Sequence, residues 1–262
     1  PGEQGAEPTD WRSMFSGSAW KFDELRGEYF LHLFSRKQPD LNWENPAVRQ
    51  AVYAMMNWWV ERGVDGFRMD VINLISKTLP LADGVANPLD GLCYDLGVVV
   101  NGPRLEEFLK EMNAAVGISA KALFTVGEML MVDVQHARRY TSAKADELGM
   151  VFTFEHMNLD QQPGFSRFDL RPLHLPDLKA NLALWQNGLA DDGWNSLYWN
   201  NHDQPRIVSR FGDDSDQYRV TSAKTLGTVL HLLRGTPYVY QGEEIGMTNA
   251  GYTGIEQYAD IE

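Results

Sequence analysis

Short apolar segments alternate with helix-forming segments along most of the 262-residue chain, and this alternation restricts its fold more than any other feature. Strands separated by helices form crossovers, which lead to a parallel sheet covered by helices. The predicted strands cover residues 63–73, 123–126, 150–154, 197–199 and 237–240, and the predicted helices cover residues 46–62, 103–112, 134–140, 178–189 and 218–233. We therefore expect an α/β protein with about five parallel strands.

A (β/α) barrel and an open doubly wound sheet both fit this alternation, and the polar residues help to separate them. Asp70, Glu128, the pair His202-Asp203 and Glu243 follow four different predicted strands. In a barrel, the carboxyl ends of the strands carry the active site. No Gly-x-Gly-x-x-Gly motif follows a strand, which disfavours a nucleotide-binding sheet.

Composition excludes several classes of function. The net charge of −13 argues against nucleic acid as a partner, because phosphate binding needs clustered Lys and Arg. The single cysteine, Cys93, allows neither an internal disulfide nor a cysteine-based metal site. No apolar run approaches 18 residues and no signal peptide is apparent, so we expect a cytoplasmic protein without a membrane partner. The oligomeric state does not follow from the sequence.

The strand predicted at residues 63–73 contains charges that need an explanation. Its apolar residues indicate burial, and a buried charge is costly unless it is paired or used. Arg68 and Asp70 are two residues apart and point the same way on a strand. The arginine would keep the carboxylate ionised, which makes Asp70 a candidate nucleophile. A structural ion pair in a core explains this stretch alone equally well.

Two further acidic positions extend the catalytic interpretation. Glycoside hydrolysis needs two carboxyl groups, of which one stays ionised and the other holds a proton near neutral pH. Glu128 lies among apolar residues, which would raise its pKa and make it the proton donor. His202 and Asp203 are suited to gripping sugar hydroxyls and stabilising positive charge. The alternative for Glu128 is a carboxylate that stabilises the start of a helix. The alternative for His202 is a half-buried histidine whose hydrogen bonds are satisfied within the protein.

Three short motifs, taken together, resemble a known family. They are Gly-Phe-Arg-Met-Asp at residues 66–70, Val-Gly-Glu at 126–128 and Asn-His-Asp at 201–203. In this order they are similar to three sequence regions of the α-amylase family, glycoside hydrolase family 13. The resemblance covers nearly the whole chain and is strongest to the oligo-1,6-glucosidase and dextran glucosidase subgroup.

The resemblance implies a retaining mechanism and a role for each motif residue. Asp70 would be the nucleophile, Glu128 the acid/base and Asp203 the stabiliser of the transition state. The resemblance also implies that Arg68, His202 and Arg206 hold the sugar at the non-reducing end. In this subgroup a valine after the nucleophile accompanies cleavage of α-1,6 linkages, and here that residue is Val71. Ordinary strand packing is the alternative explanation for Val71.

The resemblance also implies a partial (β/α)8 TIM barrel, holding about strands 4 to 8 with their helices. Residues 1–30 would be the end of the insert after barrel strand 3, and residues 31–262 the C-terminal part of the catalytic barrel. Five strands cannot close an eight-stranded barrel, so we do not expect the isolated chain to be active. We expect no cofactor in this chain, and a calcium site of the kind some relatives carry would lie upstream.

The leading hypothesis is a retaining α-glucosidase that hydrolyses α-1,6 bonds at the non-reducing ends of isomalto-oligosaccharides. A trehalose-6-phosphate hydrolase is the nearest alternative, and it would need basic residues to receive the phosphate. The sequence offers an acid, Glu155, where that phosphate would bind, which disfavours this alternative. An α-1,4-glucosidase, a sucrose isomerase and a non-catalytic amylase-like binding domain remain open.

Overall fold

The computed structural model describes residues 5–162 and 169–259, and the chain divides into two compact units. The first unit comprises residues 1–64, 72–117 and 254–262, and the second comprises residues 65–71 and 118–253. In the part of the chain that the structure describes, no helix has the length and apolar character needed to cross a membrane.

The first unit contains a hairpin and two helices. Strands β1 (Trp20–Asp23) and β2 (Glu28–Leu31) pair antiparallel, whereas the helices are α1 (Pro46–Val60) and α2 (Leu105–Val116). The Oδ1 atom of Asn45 accepts a hydrogen bond from the Ala47 amide at 2.9 Å, which caps α1. Arg49 is buried on α1, where its Nε donates to Glu111 Oε2 of α2 at 2.8 Å.

The second unit contains the parallel strands and most of the helices. The strands are β3 (Gly66–Met69), β4 (Phe124–Glu128), β5 (Met150–Phe152), β6 (Ser196–Tyr198) and β7 (Thr236–Tyr238). The helices are α3 (Val134–Thr141), α4 (Leu175–Gly188), α5 (Ile207–Phe211) and α6 (Arg219–Leu232). The predicted alternation of strands and helices is confirmed, whereas the five-residue α5 was not predicted.

All the strands of this unit run parallel. Strands β3, β4 and β5 pair in that order, and β6 pairs with β7. A parallel bridge between Val151 and Asn195 connects the two groups. The predicted parallel α/β fold is therefore confirmed. The strand at residues 63–73 is shorter than predicted, because the ladder ends at Met69.

The sheet curls towards the face that carries Phe152 and Tyr238. Neighbouring strands lie about 4.8 Å apart, so β5 and β7 would be separated by about 10 Å in a flat sheet. The rings of Phe152 and Tyr238 nevertheless meet with centroids 4.5 Å apart. The Tyr238 hydroxyl also donates to Met150 Sδ at 3.3 Å. The strands therefore converge on a shared interior face, as they do in barrels.

The other side of β6 packs on the helices. The buried core here is formed by Met157, Leu178, Leu197, Tyr198, Trp199, Ile207, Val208 and Leu230. The Trp199 indole N–H donates to the Leu226 carbonyl of α6 at 2.9 Å. This packing fixes β6 and therefore the loop that leaves its carboxyl end.

Gly66 lets β3 approach β4 closely, and its substitution tests this pairing. A Cβ atom at Gly66 would overlap the Phe124 carbonyl oxygen of the partner strand. We expect Gly66→Ala to lower the free energy of unfolding of the intact protein by about 1–3 kcal/mol. Urea unfolding followed by fluorescence measures this change.

Gly227→Ala provides the matched control. A Cβ atom at Gly227 in α6 would meet no atom within 4 Å. Alanine is favoured over glycine inside a helix by about 0.5–1 kcal/mol. The control should therefore be neutral or stabilising, and equal effects of the two substitutions would contradict the close approach of β3 and β4.

Candidate active site

Asp70 and Glu128 leave the sheet side by side. In the parallel register of β3 and β4, Met69 pairs with Gly127. The next residue along the chain is Asp70, directly after β3, in one case and Glu128, the last residue of β4, in the other. The Glu128 side chain is 9% exposed, whereas the Asp70 side chain is 68% exposed. One carboxyl group is therefore enclosed by protein while its neighbour is open to solvent.

The guanidinium of Arg68 contacts both carboxylates. Its Nη1 faces Asp70 Oδ1 and its Nη2 faces Glu128 Oε2. The predicted pair of Arg68 and Asp70 is confirmed, whereas the contact with Glu128 was not predicted. A shared arginine reduces the repulsion between two neighbouring carboxylates and fixes their orientation.

A cavity of about 200 Å³ opens next to this triad. It is lined by Arg68, Glu128, Phe152, Phe154, Tyr198, Asn200, Asn201, His202, Tyr238, Val239 and Tyr240. The five aromatic side chains in this wall come from the ends of β5, β6 and β7 or from the residues that follow. Aromatic faces combined with a few polar groups suit a compact ligand that carries both C–H faces and hydroxyls.

His202 and Asp203 occupy the loop after β6. The His202 Nε2 atom lies 3.2 Å from Asp203 Oδ2, and both side chains are more than half exposed. His202 lines the cavity. Asp203 does not line it, but its side chain contacts that of His202. The three predicted acids therefore reach the cavity in different ways: Glu128 lines it, Asp70 contacts Arg68 and Asp203 contacts His202.

Arg206 connects the loops after β6 and β7. Its Nη1 donates to the Gln241 carbonyl at 2.6 Å, and its guanidinium carbon lies 4.7 Å from the centre of the Tyr240 ring. Its backbone N–H donates to Asn249 Oδ1 at 2.8 Å. Arg206 does not line the described cavity, but it orients Tyr240, which does.

Glu243 has a structural role between the loops after β6 and β7. Its Oε2 accepts a hydrogen bond from Asn200 Nδ2 at 2.6 Å, and the Asn200 Oδ1 atom accepts from the Ile207 amide. Burial raises the pKa of the Glu243 carboxyl above its usual range. Glu243 is not among the described residues that line the cavity beside Glu128.

Val71 has an unusual backbone conformation directly after Asp70. Its φ angle is +35°, in the left-handed region that β-branched residues rarely adopt. Because β3 ends at Met69, Val71 lies outside the strand that the sequence predicted for it. The residue does not line the described cavity, so its predicted influence on linkage stays a prediction.

Glu155 is not among the described residues that line the cavity, so the prediction that it faces a bound phosphate is wrong. Its Oε2 atom accepts hydrogen bonds from Asn181 Nδ2 at 2.9 Å and from Trp185 Nε1 at 2.6 Å. Both partners belong to α4, so the carboxylate anchors that helix. The acid that was expected to oppose a phosphate is therefore turned away from the site.

Sequence patterns missed the aromatic wall of the cavity. Phe152, Tyr198 and Tyr238 are the last residues of their strands, and Phe154 and Tyr240 follow two residues after a strand end. Their position at the carboxyl ends was a usable signal, since the same rule identified the acids. Their apolar character favoured a core assignment instead.

The fold and the site define an α/β protein of the (β/α)-barrel class. Parallel strands alternate with helices, the sheet curls, and the charged and aromatic side chains gather where the strands end.

Comparison with known proteins identifies the family. Residues 1–260 match the family model described as the catalytic domain of alpha amylase. The chain is 59% identical to an oligo-1,6-glucosidase of Halalkalibacterium halodurans over all of its own length and 46% of that relative. It is 51% identical to a trehalose-6-phosphate hydrolase of Bacillus subtilis, over its full length and 45% of that relative. The chain belongs to the α-amylase family.

A solved structure agrees with this assignment. The crystal structure of a trehalose-6-phosphate hydrolase from Bacillus licheniformis, a mutant in complex with PNG, matches with a TM-score of 0.90 at 48% identity. The match covers 98% of this chain and 45% of that one. The chain thus spans just under half the length of the relatives it matches.

His156, beside the site, should make the stability of the folded protein depend on pH. Its Nε2 donates to the Tyr198 carbonyl at 3.0 Å, and burial lowers the pKa of the ring from 6.5 to about 4. Between these two values the unfolded chain binds a proton that the folded chain does not. Stability should therefore fall as the pH decreases from 6.5 towards 4, by at most about 1.4 kcal/mol per pH unit from this ring.

His156→Gln tests this linkage. Glutamine keeps an N–H donor for Tyr198 but does not titrate, so we expect a shallower loss of stability between pH 6.5 and 4. Urea unfolding of both proteins at pH 7.5, 6.5, 5.5 and 4.5 measures the difference, and pH 7.5 is the internal control. Parallel curves across this range would contradict the linkage.

Proposed function

We propose that the intact protein is a retaining α-glucosidase that hydrolyses α-1,6 bonds at the non-reducing ends of isomalto-oligosaccharides. The observation that carries this proposal is the contact of Arg68 with both Asp70 and Glu128 beside an aromatic cavity. Membership of the α-amylase family and the 59% identity to an oligo-1,6-glucosidase support it.

In the first step Asp70 acts as the nucleophile. Its carboxylate attacks the anomeric carbon of the terminal glucosyl unit, while Glu128 donates a proton to the departing O6 oxygen of the next sugar. The glycosidic bond breaks and a glucosyl ester forms on Asp70 with inverted configuration. The position of Asp70 beside Arg68 supports this role, because the guanidinium orients the carboxylate.

In the second step Glu128 acts as the base. Its carboxylate removes a proton from water, and the water oxygen attacks the same anomeric carbon from the opposite face to the ester. Glucose leaves with its original α configuration, Asp70 returns to the carboxylate form and Glu128 regains its proton. Carboxyl groups and water suffice for both steps, so we propose no cofactor for these residues.

The remaining polar residues would bind the sugar and its developing charge. We assign Asp203 to stabilising the oxocarbenium-like transition state, and His202 to the sugar hydroxyls, a role supported by its place in the cavity wall. For Arg206 we propose an indirect role in sugar binding, because its guanidinium is engaged by Gln241 and Tyr240. Val71 is retained as a determinant of linkage.

The architecture of the intact protein completes the proposal. We infer that β3 to β7 are strands 4 to 8 of a (β/α)8 barrel, with residues 1–30 ending the insert after strand 3. The number of parallel strands and the coverage of just under half of each relative support this range. An oligosaccharide is the proposed partner, and a cytoplasmic location stays a prediction.

Hydrolysis of trehalose-6-phosphate is the second candidate function. The relatives of that name, at 51% and 48% identity, favour it, and Glu155 no longer argues against it because it faces α4. Against it, Arg68 is the one lysine or arginine among the described residues that line the cavity, and it is engaged by two carboxylates.

A substrate panel separates these candidates. We expect the intact protein to hydrolyse isomaltose with a kcat/KM at least about tenfold above those for maltose, sucrose and trehalose-6-phosphate. A tenfold preference corresponds to about 1.4 kcal/mol of transition-state binding, which is within reach of subsite shape. Released glucose is measured for each substrate. A preference for trehalose-6-phosphate over isomaltose would overturn the main proposal in favour of the second candidate.

Substitution of the two acids tests the mechanism. We expect Glu128→Gln to lower kcat for isomaltose by about 10²–10⁴-fold, because the poor leaving group loses its proton donor. Its effect should be smaller on an aryl glucoside, whose phenolate leaves without assistance. Asp70→Ala should abolish turnover on both substrates.

Mass spectrometry provides the decisive measurement for Asp70. With a fluorinated α-glucosyl fluoride that forms the ester quickly and releases it slowly, the intact protein should gain one glucosyl unit on the peptide that contains Asp70. Asp70→Ala should gain none. A labelled peptide elsewhere, or turnover in Asp70→Ala, would contradict the assignment.

A further inference from the structure

A buried ion pair lies behind the loop that carries His202 and Asp203. Arg210 in α5 donates from Nε to Asp160 Oδ2 and from Nη2 to Asp160 Oδ1, both at 2.7 Å. The two side chains are only 6% and 4% exposed. Two parallel hydrogen bonds between a guanidinium and a carboxylate define the orientation of the arginine closely.

The same guanidinium makes two further hydrogen bonds. Its Nη2 also donates to the Met157 carbonyl at 2.6 Å, and its Nη1 donates to Gln204 Oε1 at 2.7 Å. Asp160 and Met157 belong to the segment after β5, whereas Gln204 belongs to the loop after β6. Arg210 therefore connects the exits of two neighbouring strands.

The loop after β6 is attached at both ends as well as at Gln204. At one end the Asn200 side chain accepts from the Ile207 amide, and at the other Arg206 donates to the Gln241 carbonyl. Between these attachments the Asp203 amide donates to Asn201 Oδ1 at 2.8 Å, inside the loop itself. The bond from Arg210 to Gln204 reaches the residue next to Asp203 from a buried, oriented donor.

We propose that Arg210, held by Asp160, is a positioning residue that sets the location of Asp203 through Gln204. The inference rests on the proposed function, in which Asp203 stabilises the transition state. A carboxylate that acts on developing charge must be held in place before the reaction, and displacements of about 1 Å can reduce rates by about a hundredfold. Asp203 is more than half exposed, so its own surroundings hold it weakly.

The simpler alternative is that the pair of Arg210 and Asp160 only stabilises the fold. In that case a loss of the bond to Gln204 lowers the melting temperature but leaves kcat unchanged in folded protein. If Arg210 positions Asp203, loss of the bond to Gln204 lowers kcat in folded protein, whether or not the melting temperature changes. An interaction that matters only in the transition state lowers kcat and kcat/KM together and leaves KM nearly unchanged.

Gln204→Met is the informative substitution. It removes the acceptor of Arg210 Nη1 but leaves the buried pair with Asp160 intact, so the protein should fold. Substitution of Arg210 itself would leave the buried Asp160 without its partner and is expected to prevent folding. Gln204→Glu keeps an acceptor oxygen opposite Arg210 and serves as the conservative rescue. Gln217→Met is the matched control, because Gln217 is exposed and its Nε2 donates to the hydroxyl of the neighbouring Tyr218.

The experiment measures kcat and KM on isomaltose with the intact protein, well below the melting temperature of each variant. We expect Gln204→Met to lower kcat by about 10- to 100-fold with KM within about twofold of the parent. Gln204→Glu should recover kcat to within about threefold, and Gln217→Met should match the parent. The dependence of kcat/KM on pH should keep its shape, since Glu128 is not involved.

Two results would overturn the inference in an active parent. One is an unchanged kcat in Gln204→Met, even with a lower melting temperature, which would leave Arg210 with a structural role only. The other is an equal loss of kcat in Gln204→Met and Gln204→Glu. The glutamate restores an acceptor for Arg210 Nη1 and should therefore restore the position of Asp203. A parent without α-glucosidase activity would overturn the proposed function and this inference with it.

Discussion

One guanidinium lies between two carboxylates where β3 and β4 end, and the rest of the site depends on that contact. The parallel register brings Asp70 and Glu128 side by side, and Glu128 is almost entirely buried. If both groups were ionised with no cation between them, they would repel each other at the ends of the paired strands, and burial would add to the cost. The positive charge of Arg68 reduces this repulsion, because its guanidinium contacts both acids. The contact that offsets repulsion between the two acids at the strand ends therefore also orients them.

The later strands add the walls of the site. The sheet curls until Tyr238 of β7 meets Phe152 of β5, so side chains from strands that are not neighbours share one cavity. The loops that follow are attached by side chains rather than by sheet hydrogen bonds. Arg206 donates to a carbonyl after β7, and Arg210 joins the segment after β5 to the loop after β6. A site built on loops gains in this way some of the rigidity that strands provide.

The fold and the positions of the three acids after the strands could be predicted from sequence, because both depend on order along the chain. Alternation of strands and helices implies parallel pairing, and parallel pairing brings every carboxyl end to one edge. Where a side chain turns after the strand ends is decided by its surroundings. Glu155 turns to the indole of Trp185 and Arg206 to the carbonyl of Gln241, and neither partner is near in sequence. Such contacts depend on the packed structure, which is why the predicted opposition of Glu155 to a phosphate was wrong.

The three arginines of the site also bear on what it can select. Arg68 is engaged by two carboxylates, Arg206 by a carbonyl and an aromatic ring, and Arg210 by a buried carboxylate. A cation that already has oriented partners binds a ligand anion only by giving some of them up, which weakens the net attraction. These arginines are therefore better suited to holding geometry than to recognising a phosphate. Under the proposed function, discrimination among neutral disaccharides would depend on shape, and the aromatic wall and Val71, the strained residue after the proposed nucleophile, are the candidates for it.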